Sequence, residues 1–191
     1  MTSIAVAALT GFFVYGGVAG MTTENLLQAK APAEPTYVPE EYTVSITGYN
    51  AVPEQTDDTP TITGSGAWTN PEVIAARSAD LREELPYGTV IAFSSATTTP
   101  NCGYSYVQER IGLRVVADAM NPRLRNKIDI LFDTEERIPA QEAKMRNPAK
   151  ALGICKDVVI TVVGHVEIKN IPKTQLELAA AVGFAPLALR R

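Results

Sequence analysis

Apolar and polar residues alternate over several short stretches of this chain, which is the pattern of β-strands with one buried face. The longest apolar stretch of this kind is "KDVVITVVGHVEI", residues 156–168. Connections rich in Gly, Pro, Asn and Thr separate the stretches and predict turns and loops. Many short strands with long connections predict a mainly β fold, a small barrel or a sandwich. The shorter strand candidates are "YTVSITGY", "EVIAA", "GTVIAF", "YSYVQE", "IGLRVVA" and "KIDILF".

Two segments near the C-terminus carry helix-forming residues. "IPAQEAKMRNPAKALG" (138–153) is one of them, and Pro148 is expected to interrupt it because proline removes a backbone donor. "KTQLELAAAVGFAPLALRR" (173–191) begins as a helix that the glycine and proline of its second half are expected to end. The chain therefore predicts one or two short helices beside the strands, with residues 169–191 as a C-terminal helical tail.

The first 23 residues contain no charged side chain, and residues 4–20 are predominantly apolar. Such a segment is typical of a secretory signal peptide or an N-terminal membrane anchor, formed as an apolar helix. The alternative is a helix that packs on the folded domain. Residues 24–41 contain several prolines and predict a semi-rigid linker. With a domain over residues 42–168, this organisation predicts an extracytoplasmic protein, secreted or anchored to the membrane of the cell envelope.

The composition excludes several classes of function. Apolar residues make up 46% of the chain and charged residues 20%, which are the proportions of a foldable globular protein. A net charge of −4 argues against nucleic-acid binding, which usually requires a basic face. One histidine and two cysteines provide no zinc-ligand spacing. We therefore expect no cofactor and no zinc site, while a metal site built from carboxylates is left open without a recognisable binding loop behind it.

The two cysteines, Cys102 and Cys155, have two possible states. In the oxidising compartment that export implies, they can close a disulfide across a loop of about fifty residues. The alternative is a pair of buried free thiols. Their positions in the sequence leave both states open.

Two aspartates lie at the edges of strand-like segments, where aspartate is depleted. Asp118 follows "VVA" and Asp129 stands between Ile128 and Ile130. A carboxyl group flanked by β-branched residues is partly desolvated, which raises its pKa toward the range of a general acid. The alternatives are a turn role for Asp118, in "DAMNP", and the solvent face of an edge strand for Asp129.

Four segments in order are similar to a known family. They contain a Gln-Thr-Asp-x-Thr-Pro turn, an Ile-Ala…Asp…Leu-Pro-x-Gly-Thr stretch, two more aspartates eleven residues apart, and a closing strand. Together they resemble the 3D (three-aspartate) domain of bacterial cell-wall proteins, among them the membrane-bound lytic transglycosylase A group and stationary-phase survival proteins. The resemblance covers residues 42–168, about two-thirds of the chain, and implies a small six-stranded double-psi β-barrel. The four segments are "ITGYNAVPEQTDDTPTITGSG", "VIAARSADLREELPYGTVI", "VVADAMNPRLRNKIDILF" and "VVITVVG".

The resemblance also implies roles for individual residues. Asp80, Asp118 and Asp129 match the three aspartates, which in the family line a groove for the glycan strands of peptidoglycan. Asp129 matches the favoured catalytic acid, and Asp118 is the second catalytic carboxylate. By the same resemblance, Asp80, Thr63 and Tyr49 are expected to contact the substrate.

The implied reaction is non-hydrolytic cleavage of the β-1,4 bond between N-acetylmuramic acid and N-acetylglucosamine, with closure of a 1,6-anhydro ring. One carboxyl group can serve as acid and then as base, because no water is activated. Two other classes of function fit the same residues: a non-catalytic, expansin-like barrel that binds peptidoglycan, and a structural envelope domain. The oligomeric state is left open.

Two further features bear on a sugar-binding groove. Better-known members of the family have a glycine-rich turn between the second and third aspartates, whereas residues 119–126 read "AMNPRLRN" in this chain. A different groove floor is therefore expected, because proline and arginine do not allow the close backbone approach that glycine does. Trp68, after a glycine-rich turn, either stacks on a sugar ring or has a packing or lid role.

Overall fold

The structure, a computed structural model, describes residues 39–56, 58–94 and 102–184. Within these ranges the chain forms eight β-strands and three short α-helices. The strands are β1 (Glu41–Asn50), β2 (Ile74–Arg77), β3 (Thr89–Phe93), β4 (Arg114–Ala119), β5 (Lys127–Phe132), β6 (Ile138–Pro139), β7 (Met145–Arg146) and β8 (Cys155–His165). The helices are α1 (Tyr104–Ile111), α2 (Pro148–Leu152) and α3 (Gln175–Ala181).

Six of the strands close into a barrel in the order β1-β5-β2-β4-β3-β8. The pairs β1–β5 and β2–β4 are parallel, and the other neighbours are antiparallel. The two short strands β6 and β7 form a separate antiparallel pair. The predicted mainly β fold with a six-stranded barrel is therefore confirmed.

Both faces of the barrel wall are covered by apolar side chains. One buried cluster draws residues from all six barrel strands and also from α1 and α2, so it fills the interior. A second cluster takes neighbouring positions of the same strands together with α3. Because adjacent strand residues point to opposite faces, the two clusters explain continuous apolar runs such as Val115-Val116-Ala117. Fully burying each large apolar side chain contributes about 1.5–3 kcal/mol.

The segment "YSYVQE" is helical, so its prediction as a strand is wrong. Tyr104, Val107 and Ile111 of α1 are buried, whereas the intervening side chains face outward or are partly covered. Their spacing of three and four residues is the period of a helix rather than a strand. Gly112, with φ of +53°, then ends the helix in a conformation that favours glycine.

Pro148 begins a helix instead of interrupting one. It is the first residue of α2, where its missing N–H has no intrahelical partner to lose. Asn147 caps the helix, since its Oδ1 accepts a hydrogen bond from the backbone N–H of Ala149 at 3.0 Å. Upstream, the same segment forms β6 and β7 around one short 3-10 turn, Gln141–Ala143, rather than an α-helix. The expectation of few, short helices is confirmed: α1 and α2 lie beside the barrel strands, and α3 lies in the predicted C-terminal tail.

The C-terminal segment begins as a helix, as predicted. A reciprocal capping box starts α3: Thr174 accepts from the N–H of Glu177, whose side chain accepts from the N–H of Thr174. Gly183, with φ of +64°, follows the last turn. Residues 185–191 lie outside the described part of the chain.

Cys102 and Cys155 form a disulfide, with their sulfur atoms 2.01 Å apart. The bond joins the segment before α1 to the first residue of β8 and excludes the alternative of two free thiols. Here Gly103 packs directly on the backbone, because a Cβ at this position would lie 1.8 Å from the carbonyl oxygen of Ala151. A loop of this length corresponds to about 4 kcal/mol of stabilisation in the chain-entropy model.

The N-terminal apolar segment (1–23) and nearly all of the predicted linker lie outside the described residues. In the described ranges, no helix has the length and apolarity needed to cross a membrane.

Candidate active site

A groove of about 530 Å³ contains both aspartates that the sequence singles out. Among the described residues of its lining, Asp118 and Asp129 are the charged ones, and the remainder is made of hydroxyl, amide and apolar side chains. The uncharged lining residues are Tyr49, Gln55, Thr56, Thr59, Pro60, Ile62, Thr63, Gly64, Ala76, Ala119, Met120, Asn121, Pro122 and Leu124.

Three neighbouring strands position the two carboxylates. Strand β2 lies between β5 and β4, and Ala76 of β2 pairs with Asp129 on one side and with Asp118 on the other. Their Cα atoms are therefore two strand spacings apart, roughly 10 Å. Because the residue between them is alanine, the space between the two carboxyl groups stays open. On the far side of β5, Thr47 of β1 is the partner of Asp129.

A β-bulge turns Asp118 toward the groove. Val116 belongs to the interior cluster, so simple alternation would return Asp118, two residues later, to the interior. The pairing of β4 with β2 instead shifts by one residue: Ala75 pairs with Val116, whereas Ala76 pairs with Asp118. The extra residue, Ala117, lets the following side chain point the other way. Asp118 thereby shares a face with the second carboxylate.

Asp129 has the surroundings of a general acid. Burial raises the pKa of its carboxyl group to about 6, and the nearby charge of Asp118 acts in the same direction. A hydrogen bond donated by Thr47 Oγ1 to Asp129 Oδ1, at 2.9 Å, and the charge of Lys127 oppose the shift but do not cancel it. A carboxyl group with this pKa is about half protonated at pH 6 and keeps about a tenth of its population protonated at pH 7.

Asp118 is held by three hydrogen-bond donors. Its Oδ2 accepts from Tyr49 Oη at 2.8 Å, and its Oδ1 accepts from the backbone N–H groups of Gly64 and Ala119, both at 2.8 Å. Burial and the nearby Asp118 charge raise the pKa of Tyr49, so the phenol stays a donor. A side chain at Gly64 would crowd Asp118, since its Cβ would lie 3.2 Å from Oδ1. These bonds fix Asp118 as an acceptor with a defined orientation.

Two of the three predicted substrate contacts line the groove, and the third does not. Tyr49 and Thr63 are part of the lining, although the hydroxyl of Tyr49 is engaged with Asp118. Asp80 is outside the lining, and its Oδ2 accepts from the backbone N–H of Asn126 at 2.9 Å. Burial acts to raise the pKa of Asp80, but hydrogen bonds from Ser78 and Asn126 outweigh it and lower the pKa. Asp80 thus fastens the segment before β5 to the barrel.

The segment 119–126 forms one wall of the groove without any glycine. Met120, Asn121, Pro122 and Leu124 contribute to the lining. Asn121 shapes the turn, because its Oδ1 accepts from the backbone N–H of Arg123 at 3.0 Å. At the end of the segment Asn126 adopts a φ of +50°, a conformation that asparagine tolerates better than most residues. Side chains, rather than bare backbone, therefore border the groove here.

Three positions of the site escaped prediction. Thr47 and Gly64 donate to the two carboxylates, and Ala76 separates them. The alternation of "YTVSITGY" places Thr47 on the polar face of its strand, which is the one signal available in the sequence. The roles of Gly64 and Ala76 depend on strand pairing and have no local signal.

In the described ranges, no group of three or more His, Cys, Asp or Glu side chains is arranged to hold a metal ion. The sequence matches no family model, and no curated protein is significantly similar to it. The likeness to the 3D domain therefore rests on the four motifs and stays a prediction. The barrel fold and the acidic groove are observed in the structure and do not depend on that likeness.

Proposed function

We propose that this chain is an exported lytic transglycosylase of the 3D-domain type, which cleaves the glycan strands of peptidoglycan. The observation that carries the proposal is the pairing of a half-buried carboxyl group, Asp129, with a second carboxylate, Asp118, in one open groove. The pKa of Asp129 is raised to about 6, mainly by burial, as a general acid requires.

The reaction needs one group that gives a proton and later takes one back. Protonated Asp129 donates to the glycosidic oxygen while the bond from that oxygen to C1 of the muramyl residue breaks. The ionised Asp129 then accepts the proton of the muramyl 6-hydroxyl as its oxygen bonds to C1. The products are a 1,6-anhydro end and a free 4-hydroxyl, and no water is consumed.

The second carboxylate has a different role in this scheme. Positive charge develops at C1 and the ring oxygen as the bond breaks, and a fixed negative group nearby stabilises it. Asp118 is suited to this because three donors hold it in place before substrate arrives. Its charge also helps to keep the proton on Asp129.

The remainder of the groove suits a sugar chain. Its lining offers hydroxyl and amide groups for hydrogen bonds and an apolar wall that includes Ile62, Met120 and Leu124. A volume of about 530 Å³ is in the range of pockets that hold ligands larger than a single sugar ring. A neutral, hydroxyl-rich lining with two acids is consistent with glycan as the substrate class.

Two further features support a location in the cell envelope. Disulfides persist in oxidising compartments, and this domain contains one between Cys102 and Cys155. The uncharged N-terminal segment predicts export or anchoring, with the proline-rich linker as a spacer between the membrane and the domain.

Product analysis tests the proposal directly. The full chain is incubated with purified sacculi, and the soluble products are identified by mass spectrometry. We expect muropeptides with 1,6-anhydro ends, abolished in Asp129→Asn. The matched control is Asp157→Asn, which removes the same charge from an exposed position on β8 and should leave product release unchanged.

Other outcomes assign the groove differently. Products with reducing ends would indicate hydrolysis instead of ring closure. Sedimentation of the chain with sacculi, without any release, would leave the expansin-like binding module. If the chain neither binds sacculi nor releases products from them, a role in glycan recognition is contradicted and the structural envelope domain is favoured.

A further inference from the structure

Trp68 is strongly exposed beside the acidic groove. Its side chain is 74% accessible to solvent, which excludes the alternative that it packs inside the domain. It forms an isolated antiparallel bridge with Ile62, and Ile62 lines the groove. Most tryptophan side chains gain a favourable free energy from burial of their large apolar surface, and an exposed one lacks that gain. An exposed tryptophan next to a groove is therefore a candidate contact for a ligand.

The pairing of Ile62 with Trp68 determines the direction of the indole. The backbone N–H of Thr63 bonds to the carbonyl of Ala67 at 2.8 Å, and that of Thr69 bonds to Thr61 at 3.0 Å. These bonds flank the bridge, so Ile62 and Trp68 are a non-hydrogen-bonded pair with Cα atoms about 4.5 Å apart. Side chains of such a pair lie on the same face of the ribbon. The indole therefore stands on the face that Ile62 turns to the groove.

The ribbon that carries Trp68 is attached to the candidate catalytic machinery. The backbone N–H of Gly64 bonds to Asp118 Oδ1 at 2.8 Å, and that of Ser65 bonds to the carbonyl of Ala117, in the bulge, at 3.1 Å. Within the ribbon, Thr63 Oγ1 accepts from the N–H of Ala67 at 3.2 Å. An aromatic ring on a braced ribbon is oriented before ligand binding, which reduces the entropy lost on association.

We propose that Trp68 is a sugar-stacking platform that binds one pyranose ring of a β-1,4-linked hexosamine strand where the strand enters the acidic groove. The apolar C–H face of a pyranose covers the indole, while its hydroxyl groups stay in water or reach the polar lining of the groove. Continuity with that lining favours a glycan over an apolar partner, because Ile62 is shared by the ribbon and the groove. The inference rests on the proposed function for the identity of the strand.

Fluorescence reports on this platform without any added probe, because Trp68 is the single tryptophan of the 191 residues. The full chain carrying Asp129→Asn is titrated with peptide-free glycan strands and, separately, with the β-1,4-linked tetramer of N-acetylglucosamine. Asp129→Asn prevents consumption of the strands. We expect a blue shift of the emission and protection of the indole from acrylamide quenching as the sugar covers the ring.

Substitutions separate stacking from general effects on the fold. In a sedimentation or calorimetric titration with the same glycans, Trp68→Ala should weaken binding roughly tenfold, as loss of a tryptophan contact commonly does. Trp68→Tyr should retain most of the affinity because it preserves an aromatic face. The matched control is Leu176→Ala, which truncates a similarly exposed apolar residue (72%) on α3. It should leave glycan binding unchanged.

The experiments can contradict the stacking role of Trp68 and the transglycosylase activity independently of each other. Glycan binding with an unaltered emission spectrum, or equal affinity in Trp68→Ala, would overturn the platform, whatever the chain does to sacculi. Absence of any glycan binding would overturn it as well. Binding that depends on Trp68, without release of 1,6-anhydro products, would retain the platform and remove the transglycosylase.

Discussion

Two ionisable side chains of the barrel, the buried Arg114 and the half-buried Asp129, have opposite surroundings. Arg114 is the first residue of β4 and is almost completely buried. Among the described residues its guanidinium has no carboxylate partner; it donates instead to backbone carbonyls and stacks 5.7 Å from the centre of the Phe132 ring. The acceptors are the carbonyl oxygens of Pro71, Ile74, Arg110, Ile111 and Leu131.

Asp129 is buried less completely and is satisfied less fully. It accepts a hydrogen bond from Thr47 and faces an open groove with a second carboxylate. Burial lowers the pKa of Arg114 to about 9 and raises that of Asp129 to about 6. Arg114 thus stays charged at neutral pH and braces four elements through five carbonyl groups, whereas the proton of Asp129 is available.

The difference shows what separates a structural buried charge from a chemical one. Both groups lose hydration, which is unfavourable unless protein groups replace the water. At Arg114 carbonyl acceptors replace it, and the charge holds α1, β2, β4 and β5 together. At Asp129 protein groups replace only part of the lost hydration, and a substrate can approach the carboxyl group. We therefore interpret incomplete satisfaction in an accessible groove, rather than burial alone, as the mark of the site.

The largest effect is expected at the groove. Asp129→Asn removes the transferable proton, and loss of a general acid commonly lowers rates by about 10²–10⁴-fold. The rate of 1,6-anhydro muropeptide release from sacculi measures this. The variant should unfold no earlier than the parent in urea. If a folded Asp129→Asn variant still released these products, Asp129 would not be the general acid. The contrast between a chemical charge at Asp129 and a structural charge at Arg114 would then not hold.

The next effect concerns Arg114. Arg114→Met keeps much of the side-chain volume but leaves several buried carbonyls without a donor, and we expect a loss of about 3–5 kcal/mol in the free energy of unfolding. Urea denaturation of the full chain, with the disulfide intact, measures it.

Arg110→Met is the matched control for this prediction. Arg110 forms a surface ion pair with Glu136, and such pairs contribute about 0–1 kcal/mol. Similar losses for the two arginines would mean that burial and carbonyl bonding at Arg114 stabilise the barrel no more than a surface contact does.

A smaller effect concerns the pH dependence of stability. The pKa of Asp129 is about 6 in the folded chain, above its ordinary value of 3.8, so the folded state binds more protons between these values. Stability contributed by this group is complete below about pH 4, declines as pH rises to about 6, and stays reduced above that. Asp129→Asn should therefore be about 2 kcal/mol more stable than the parent at pH 8.

The gain should vanish below pH 4, where the parent carboxyl is protonated in both states. Unfolding curves of parent and variant at pH 3.5, 5, 6.5 and 8 follow this difference. A gap that does not change with pH would show that Asp129 ionises as freely as an exposed aspartate.

The smallest effect is expected at Tyr49. Tyr49→Phe removes one of the three donors to Asp118 and leaves the two backbone donors in place. Since one hydrogen bond to a charged group is worth about 1.5–3 kcal/mol, and two remain, we expect roughly a tenfold loss in kcat/KM with little change in KM. A loss that appears in KM alone would make Tyr49 a substrate contact and not a positioning residue.

Local patterns were sufficient for much of the fold. Alternation located β1, apolar runs located β5 and β8, and the C-terminal segment was correctly predicted to begin as a helix. The sequence pattern was misleading where the same residues are compatible with two different local structures. "YSYVQE" suits a strand by composition, yet its buried residues follow the helical period. Pro148 has opposite meanings inside a helix and at its first position, and Asn147 decides between them.

For the site, the residues alone already marked Asp118 and Asp129 as anomalous, because carboxylates rarely sit in apolar strands. Their convergence came from pairing between strands distant in sequence. The bulge at Ala117 turns Asp118 out of the interior, and Ala76 keeps the space between the carboxylates open. Apart from the backbone N–H of the adjacent Ala119, the donors to both groups come from strands and turns 54 to 82 residues away. Desolvation and hydrogen bonding depend on such neighbours, so the pKa of Asp129 is a property of the closed barrel and not of its local sequence.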